Sequence, residues 1–155
     1  MEVAMYKKIL VPVDGSELSD ESAKEAVKLA KNLGSELCFY HANVVAIPPM
    51  MAAEVLQGGQ TVAEIFSETQ EAHGKKVLAQ AAKFADQGGI KFSTYSSSAE
   101  SAWQGVVSAA KKQECDLIVM ASHGRRGLKS LLLGSETHHV LTHSTIPVLV
   151  QRPKS

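Results

Sequence analysis

Apolar residues in this chain fall into two alternating patterns, short unbroken runs and longer stretches in which they recur every third or fourth position. The first run, Lys8-Ile9-Leu10-Val11-Pro12-Val13, is closed by Asp14-Gly15-Ser16 and reads as a strand buried on both faces and ended by a turn. From Ser19 to Leu33, residues Ala23, Ala26, Val27, Ala30 and Leu33 keep the spacing of one helix face, and Gly34 is a suitable stop. The alternation then repeats. A second strand is expected over Leu37–Val44 and a helix over roughly Val62–Gln87, after a loop holding Pro48, Pro49, Gly58 and Gly59. A third strand is expected over Ile90–Tyr95 and a helix over about Ala99–Lys112, with Ala102, Trp103, Val106 and Ala110 on one face. A fourth strand over Asp116–Met120, a short helix over Ser135–His143 and a fifth strand over Pro147–Val150 complete the series.

Strands that are apolar throughout and alternate with helices predict an α/β fold: one open, five-stranded parallel sheet, helices on both faces, right-handed crossovers. At 155 residues without an internal repeat or linker, the chain is expected to form a single domain over 1–155. Ligands of such sheets bind beyond the carboxyl ends of the strands, where the strand order reverses. If strands one and four are neighbours and two and three lie beyond strand one, the order is 3-2-1-4-5. The ends Val13-Asp14-Gly15-Ser16, His41-Ala42-Asn43 and the segment after Met120 then converge on one crevice.

Charge narrows the choice of ligand. Lys plus Arg and Asp plus Glu are 16 each, so no overall field favours nucleic acid or an anionic membrane, and a charged ligand must be held locally. No apolar run approaches the length of a membrane span and the first residues lack a leader pattern, so a cytoplasmic protein is expected. Cys38 and Cys115 sit alone among apolar neighbours and read as buried thiols.

The segment Ala121-Ser-His-Gly-Arg-Arg-Gly-Leu-Lys-Ser-Leu-Leu-Leu-Gly-Ser-Glu136 follows the fourth strand directly. Its Gly124 and Gly134 are separated by nine residues, and Gly134-Ser135 opens the last helix. Free N–H groups and the helix dipole favour an anion there, Gly124 would admit positive φ or close approach of a ligand, and Arg125, Arg126 and Lys129 would screen phosphate. The same residues also suit a plain surface connection with turn glycines and an ordinary N-cap. Neither a Walker loop nor a G-x-G-x-x-G fingerprint is present.

Tyr6-Lys-Lys-Ile-Leu-Val-Pro-Val-Asp-Gly-Ser16, Asp116-Leu-Ile-Val-Met-Ala-Ser-His-Gly-Arg-Arg-Gly127, Leu131-Leu-Leu-Gly-Ser135 and Ile146-Pro-Val-Leu-Val150, taken in order, resemble the universal stress protein family over essentially the whole chain. The resemblance implies a Rossmann-like sheet and a binding site for ATP, AMP or ADP with Mg2+. Gly124, Gly134 and Ser135 match the later part of the family's G-x2-G-x9-G-[ST] pattern, and Ala121 stands where that pattern has its first glycine. By the same resemblance Asp14 lies on the adenine and ribose side, Pro12, Val13 and Ala42 edge the base pocket, and Met120 and His123 flank the nucleoside. Gly124, Gly134, Ser135 and Thr137 meet the phosphates; Ser16, Ala121 and Glu136 complete the cofactor-binding set. It also implies a homodimer through the last strand. A nucleotide-free dimeric interaction module of the same fold is the alternative, favoured by Ala121 and by the carboxylate of Glu136 in the helix's first turn.

Other residues invite simpler readings. Asp14 faces no second carboxylate in the sequence, and His123 belongs to no Ser-His-Asp or Cys-His spacing, so a dedicated enzyme is not expected. Glu136, His139 and His143 share a helix face that would admit a metal, but histidines near a helix C-terminus also suit its dipole. His73 falls among apolar residues at helical spacing and reads as packed, and Trp103 reads as core. Met50 and Met51 lie in a stretch that would form either a lid or a plain insertion.

Overall fold

The computed structural model describes residues 5–45, 60–124 and 133–154, together with 53 and 57. Met50, Met51, Arg125, Arg126 and Lys129, each singled out above, lie outside these residues.

The elements run β1 (Lys8–Pro12), α1 (Glu17–Leu33), β2 (Glu36–Val44), α2 (Gln60–Gly88), β3 (Phe92–Ala99), α3 (Ala102–Lys112), β4 (Leu117–Ala121), α4 (Ser135–His143) and β5 (Val148–Gln151). All five strands are parallel, in the order β3-β2-β1-β4-β5, as the sequence led us to expect. The order reverses between β1 and β4, which pair through Ile9 with Leu117 and Leu10 with Ile118.

Alternation along each strand divides the core in two. Ile9, Val11, Leu37, Phe39, Leu117 and Val119 pack under α1 and α2, against Ala23, Ala26, Val27, Ala30, Val77, Leu78, Ala81 and Ala85. Leu10, Cys38, Tyr40, Ile118 and Met120 face the other way, onto Val106, Ala109 and Ala110 of α3 and Val140 of α4. Both faces are thus covered, which is why these strands read as continuous apolar runs. Cys38 and Cys115 are buried and free.

Three expectations change. β3 lies two residues later at its start and extends to Ala99 rather than Tyr95, because all of it pairs with the long β2, from Leu37 with Phe92 to Val44 with Ala99. Its last turn of sequence is Ser96-Ser97-Ser98, and serine on a half-exposed edge strand leaves no apolar signal. Ile90 belongs to the preceding turn, its N–H donating to Ala85. In consequence α3 begins only at Ala102, capped by Ser101, whose hydroxyl accepts from the N–H of Gln104. Trp103, expected in the core, is half-buried at the start of α3, where its ring lies against His139 and His143 of α4 with centroids 5.3 and 4.3 Å away.

Candidate functional site

At the carboxyl ends of β1 and β4 lies a crevice of about 130 Å³ that opens to solvent. Its walls are Pro12, Val13 and Asp14 from the end of β1, Ser19 of α1, Tyr40 and Ala42 of β2, and Val106 of α3. Met120, Ala121, His123 and Gly124 from the end of β4, with Glu136 and Thr137 of α4, complete it. Of the residues selected from sequence, Ser16, Gly134 and Ser135 are not among these walls; Ser19, Tyr40 and Val106 are walls that sequence reasoning missed. Ser19 carried a signal, since it stands three residues after a serine at a helix start.

The β1 end is held by an interlocking turn. Ser16 caps α1, its hydroxyl accepting from the N–H of Ser19 at 3.1 Å. The hydroxyl of Ser19, itself buried, accepts from the N–H of Asp14 at 3.1 Å, and Asp14 Oδ1 accepts from the N–H of Ser16 at 2.9 Å. Asp14 is therefore fixed both by its main chain and by its side chain. From β2, Nδ1 of His41 donates to the carbonyl of Val13 at 2.8 Å; a carbonyl only accepts, so that nitrogen carries the proton.

Gly124 and Gly134 act through space rather than through unusual dihedrals. Among the described residues positive φ occurs at Gly15, Gly34, Gly89 and Glu114, so neither Gly124 nor Ala121 uses it. A β-carbon at Gly124 would lie 2.7 Å from Oδ2 of Asp14. One at Gly134 would lie 3.1 Å from Cα and Cβ of His123 and 3.3 Å from the carbonyl of Ser122. The N–H of Gly134 donates to that same carbonyl at 2.8 Å, stitching the start of α4 to the end of β4. A second stitch is the hydroxyl of Thr137, buried, donating to the carbonyl of Ala121 at 2.9 Å.

Gly134 is the N-cap of α4 and brings no side-chain hydrogen bond to the helix start, whereas α1 and α3 have Ser16 and Ser101 in that role. Glu136 does not cap its own helix. Its Oε2 accepts from the main-chain N–H of Trp103 at 2.6 Å, on the first turn of α3. With Glu136 so engaged and the rings of His139 and His143 lying on Trp103, these three residues do not converge. Among the described residues no group of three or more His, Cys, Asp or Glu is placed to hold a metal ion. His73 is half-buried, its ring edge-on to His41 at 5.9 Å.

Residues 5–152 match the model of the universal stress protein family. The chain is 34% identical over 151 residues to universal stress protein MJ0531 of Methanocaldococcus jannaschii, covering 97% of this chain and 85% of that one. It is also 34% identical over 150 residues to universal stress protein YxiE of Bacillus subtilis, covering 96% of this chain and all of that one. The solved structure of the hypothetical protein MJ0577 superposes with a TM-score of 0.80 at 26% identity, over 97% of this chain and 99% of its own. More distant structures of the same fold were solved with ligands. They are the Archaeoglobus fulgidus universal stress protein in complex with dAMP, TM-score 0.63, 16% identity, 94% and 98% coverage, and an Arabidopsis thaliana member with AMP bound, TM-score 0.62, 15% identity, 96% and 93% coverage. Family model, full-length relatives and sheet order agree, and this chain belongs to the universal stress protein family.

Proposed function

We propose that the crevice between the ends of β1 and β4 binds an adenine nucleotide, ATP or its mono- or diphosphate, and that the protein acts in a stress response through its bound state rather than through turnover. The observation that carries the reading is the start of α4: a helix end with no side-chain cap, beginning at a glycine packed on the neighbouring strand end, beside a crevice with apolar walls at Val13, Ala42, Val106 and Met120. Free N–H groups at such an end attract phosphate, and flat apolar walls suit a purine. Complexes of related folds with dAMP and AMP support the ligand class. In this reading Asp14, fixed by Ser16 and Ser19, faces the nucleoside, and Gly124, Gly134 and Ser135 form the phosphate end.

Mg2+ accompanies a triphosphate here by riding on the phosphates, since the described residues supply no cluster of ligands for a protein cage. We place the protein in the cytoplasm; among the described residues no helix is long and apolar enough to cross a membrane. We also propose a homodimer through β5, which stands at the end of the sheet order.

Purification without added ligand, denaturation and mass analysis of what is released, followed by calorimetric titration with ATP and AMP, tests the reading. Stoichiometric adenine nucleotide, or micromolar binding, is expected. A protein that comes empty and ignores millimolar ATP and AMP would instead be the nucleotide-free interaction module.

A further inference from the structure

Glu136 puts a carboxylate into the wall of the crevice, on the first turn of the helix whose N-terminus would receive phosphate. Ordinarily a glutamate there would turn onto the free N–H groups of its own helix. This one is instead held away from them, Oε2 being bound to the N–H of Trp103 at 2.6 Å. That bond ties the carboxylate to the start of α3, while the residue as a whole remains exposed at the mouth of the crevice. Two consequences follow. Glu136 does not occupy the N–H groups at the start of α4, and its carboxylate, tied to α3, adds a negative charge to the wall of the crevice. A bound anion pays Coulomb repulsion to that charge, and pays more with each added phosphate.

We propose that Glu136 is a specificity-determining residue: it grades adenine nucleotides by phosphate charge, favouring a monophosphate over a triphosphate unless Mg2+ offsets the triphosphate's charge. The inference rests on the nucleotide reading of the crevice and adds the class of ligand it prefers. Asp14, the other carboxylate of the wall, lies against Gly124 on the β1 side and contributes to the same field.

The test is calorimetric titration of the wild type and Glu136→Gln with adenosine, AMP and ATP, each with and without Mg2+. Glutamine keeps a carbonyl oxygen for the Trp103 N–H, so the start of α3 remains satisfied while the charge is removed. Without Mg2+, ATP is expected to tighten by about three- to tenfold in the variant, AMP by less, and adenosine not at all. Millimolar Mg2+ or high salt should shrink the difference. An unmoved ratio of ATP to AMP affinity, or an equal change for all three ligands, overturns the role of Glu136 and leaves the crevice reading standing. If neither protein binds any of the three, the crevice reading fails and this inference fails with it.

Discussion

The hydroxyl of Thr137 donates to the carbonyl of Ala121 across the crevice wall, 2.9 Å away, joining the first turn of α4 to the last residue of β4. Thr137 is only 2% exposed, so its hydroxyl makes this bond out of water. Thr137→Val keeps the shape and deletes the donor; it should cost about 0.5–1.5 kcal/mol, the net worth of one intramolecular hydrogen bond. Thr137→Ser should recover most of it. Urea denaturation of the three proteins measures the difference, and equal midpoints would mean that α4 is held by packing alone.

Ala121 stands where the family pattern has glycine, and its backbone does not use positive φ, so the methyl costs no backbone strain. Ala121→Gly should therefore lower stability by roughly 0.5–1 kcal/mol through added freedom of the unfolded chain. Any gain in ATP affinity should stay within about fourfold, the worth of one methyl group. Titration of both proteins decides. A gain of a hundredfold would mean that the methyl occupies the phosphate position itself.

Gly134 allows less. A valine there would press on the main chain of His123 and the carbonyl of Ser122, neither of which is a flexible side chain able to swing aside. Gly134→Val should separate the start of α4 from β4, costing about 1–3 kcal/mol as an overpacked site does, and should remove nucleotide binding. Gly134→Ala, with the same first atom and no branches, should bind more weakly but fold. Melting curves beside titrations distinguish lost binding from lost fold, and a valine variant that binds ATP normally would move the phosphates elsewhere.

How much of this was legible beforehand depended on whether a residue announces itself by hydropathy. Ile9, Val11, Leu117 and Val119 define buried strands whichever way they face, so element order followed from the apolar runs, whereas the pairing of β1 with β4 had to be assumed. Ser96, Ser97 and Ser98 carry no such mark, and β3 was placed short; its extent is dictated by β2, distant in sequence. The crevice was found from turn residues at strand ends, but Tyr40 and Val106 reach it from a strand and a helix whose pattern speaks only of core. Nor does a sequence reveal that Glu136 turns toward α3, because Trp103, its partner, lies 33 residues away in the chain.

Tyr40 gives a pH dependence. Burial pushes its phenol above the ordinary value, the hydrogen bond with Ser97 at 2.7 Å opposing this in part. The neutral form is thus favoured in the folded protein. Its contribution is complete below the unfolded value of about 10 and is lost as pH rises from there through the folded value. Tyr40→Phe should cost about 1 kcal/mol at neutral pH, by stranding the Ser97 hydroxyl, yet lose less stability than the wild type above about pH 10. Parallel stability curves in the two proteins would place the alkaline loss in other groups.

The edge strand β5 tests the proposed assembly. Among the described residues it pairs with β4 alone in the sheet, and it carries Leu149, 42% exposed, with Leu141 of α4 exposed to 40%. An open edge beside exposed leucines is a surface that a second copy can extend, strand against strand. A charge on that strand blocks such pairing without touching the crevice. Leu149→Lys should therefore convert a dimer to a monomer by light scattering, while leaving nucleotide titrations unchanged. A variant that stays dimeric would move the interface off β5, and one that also loses nucleotide would tie assembly to the binding site.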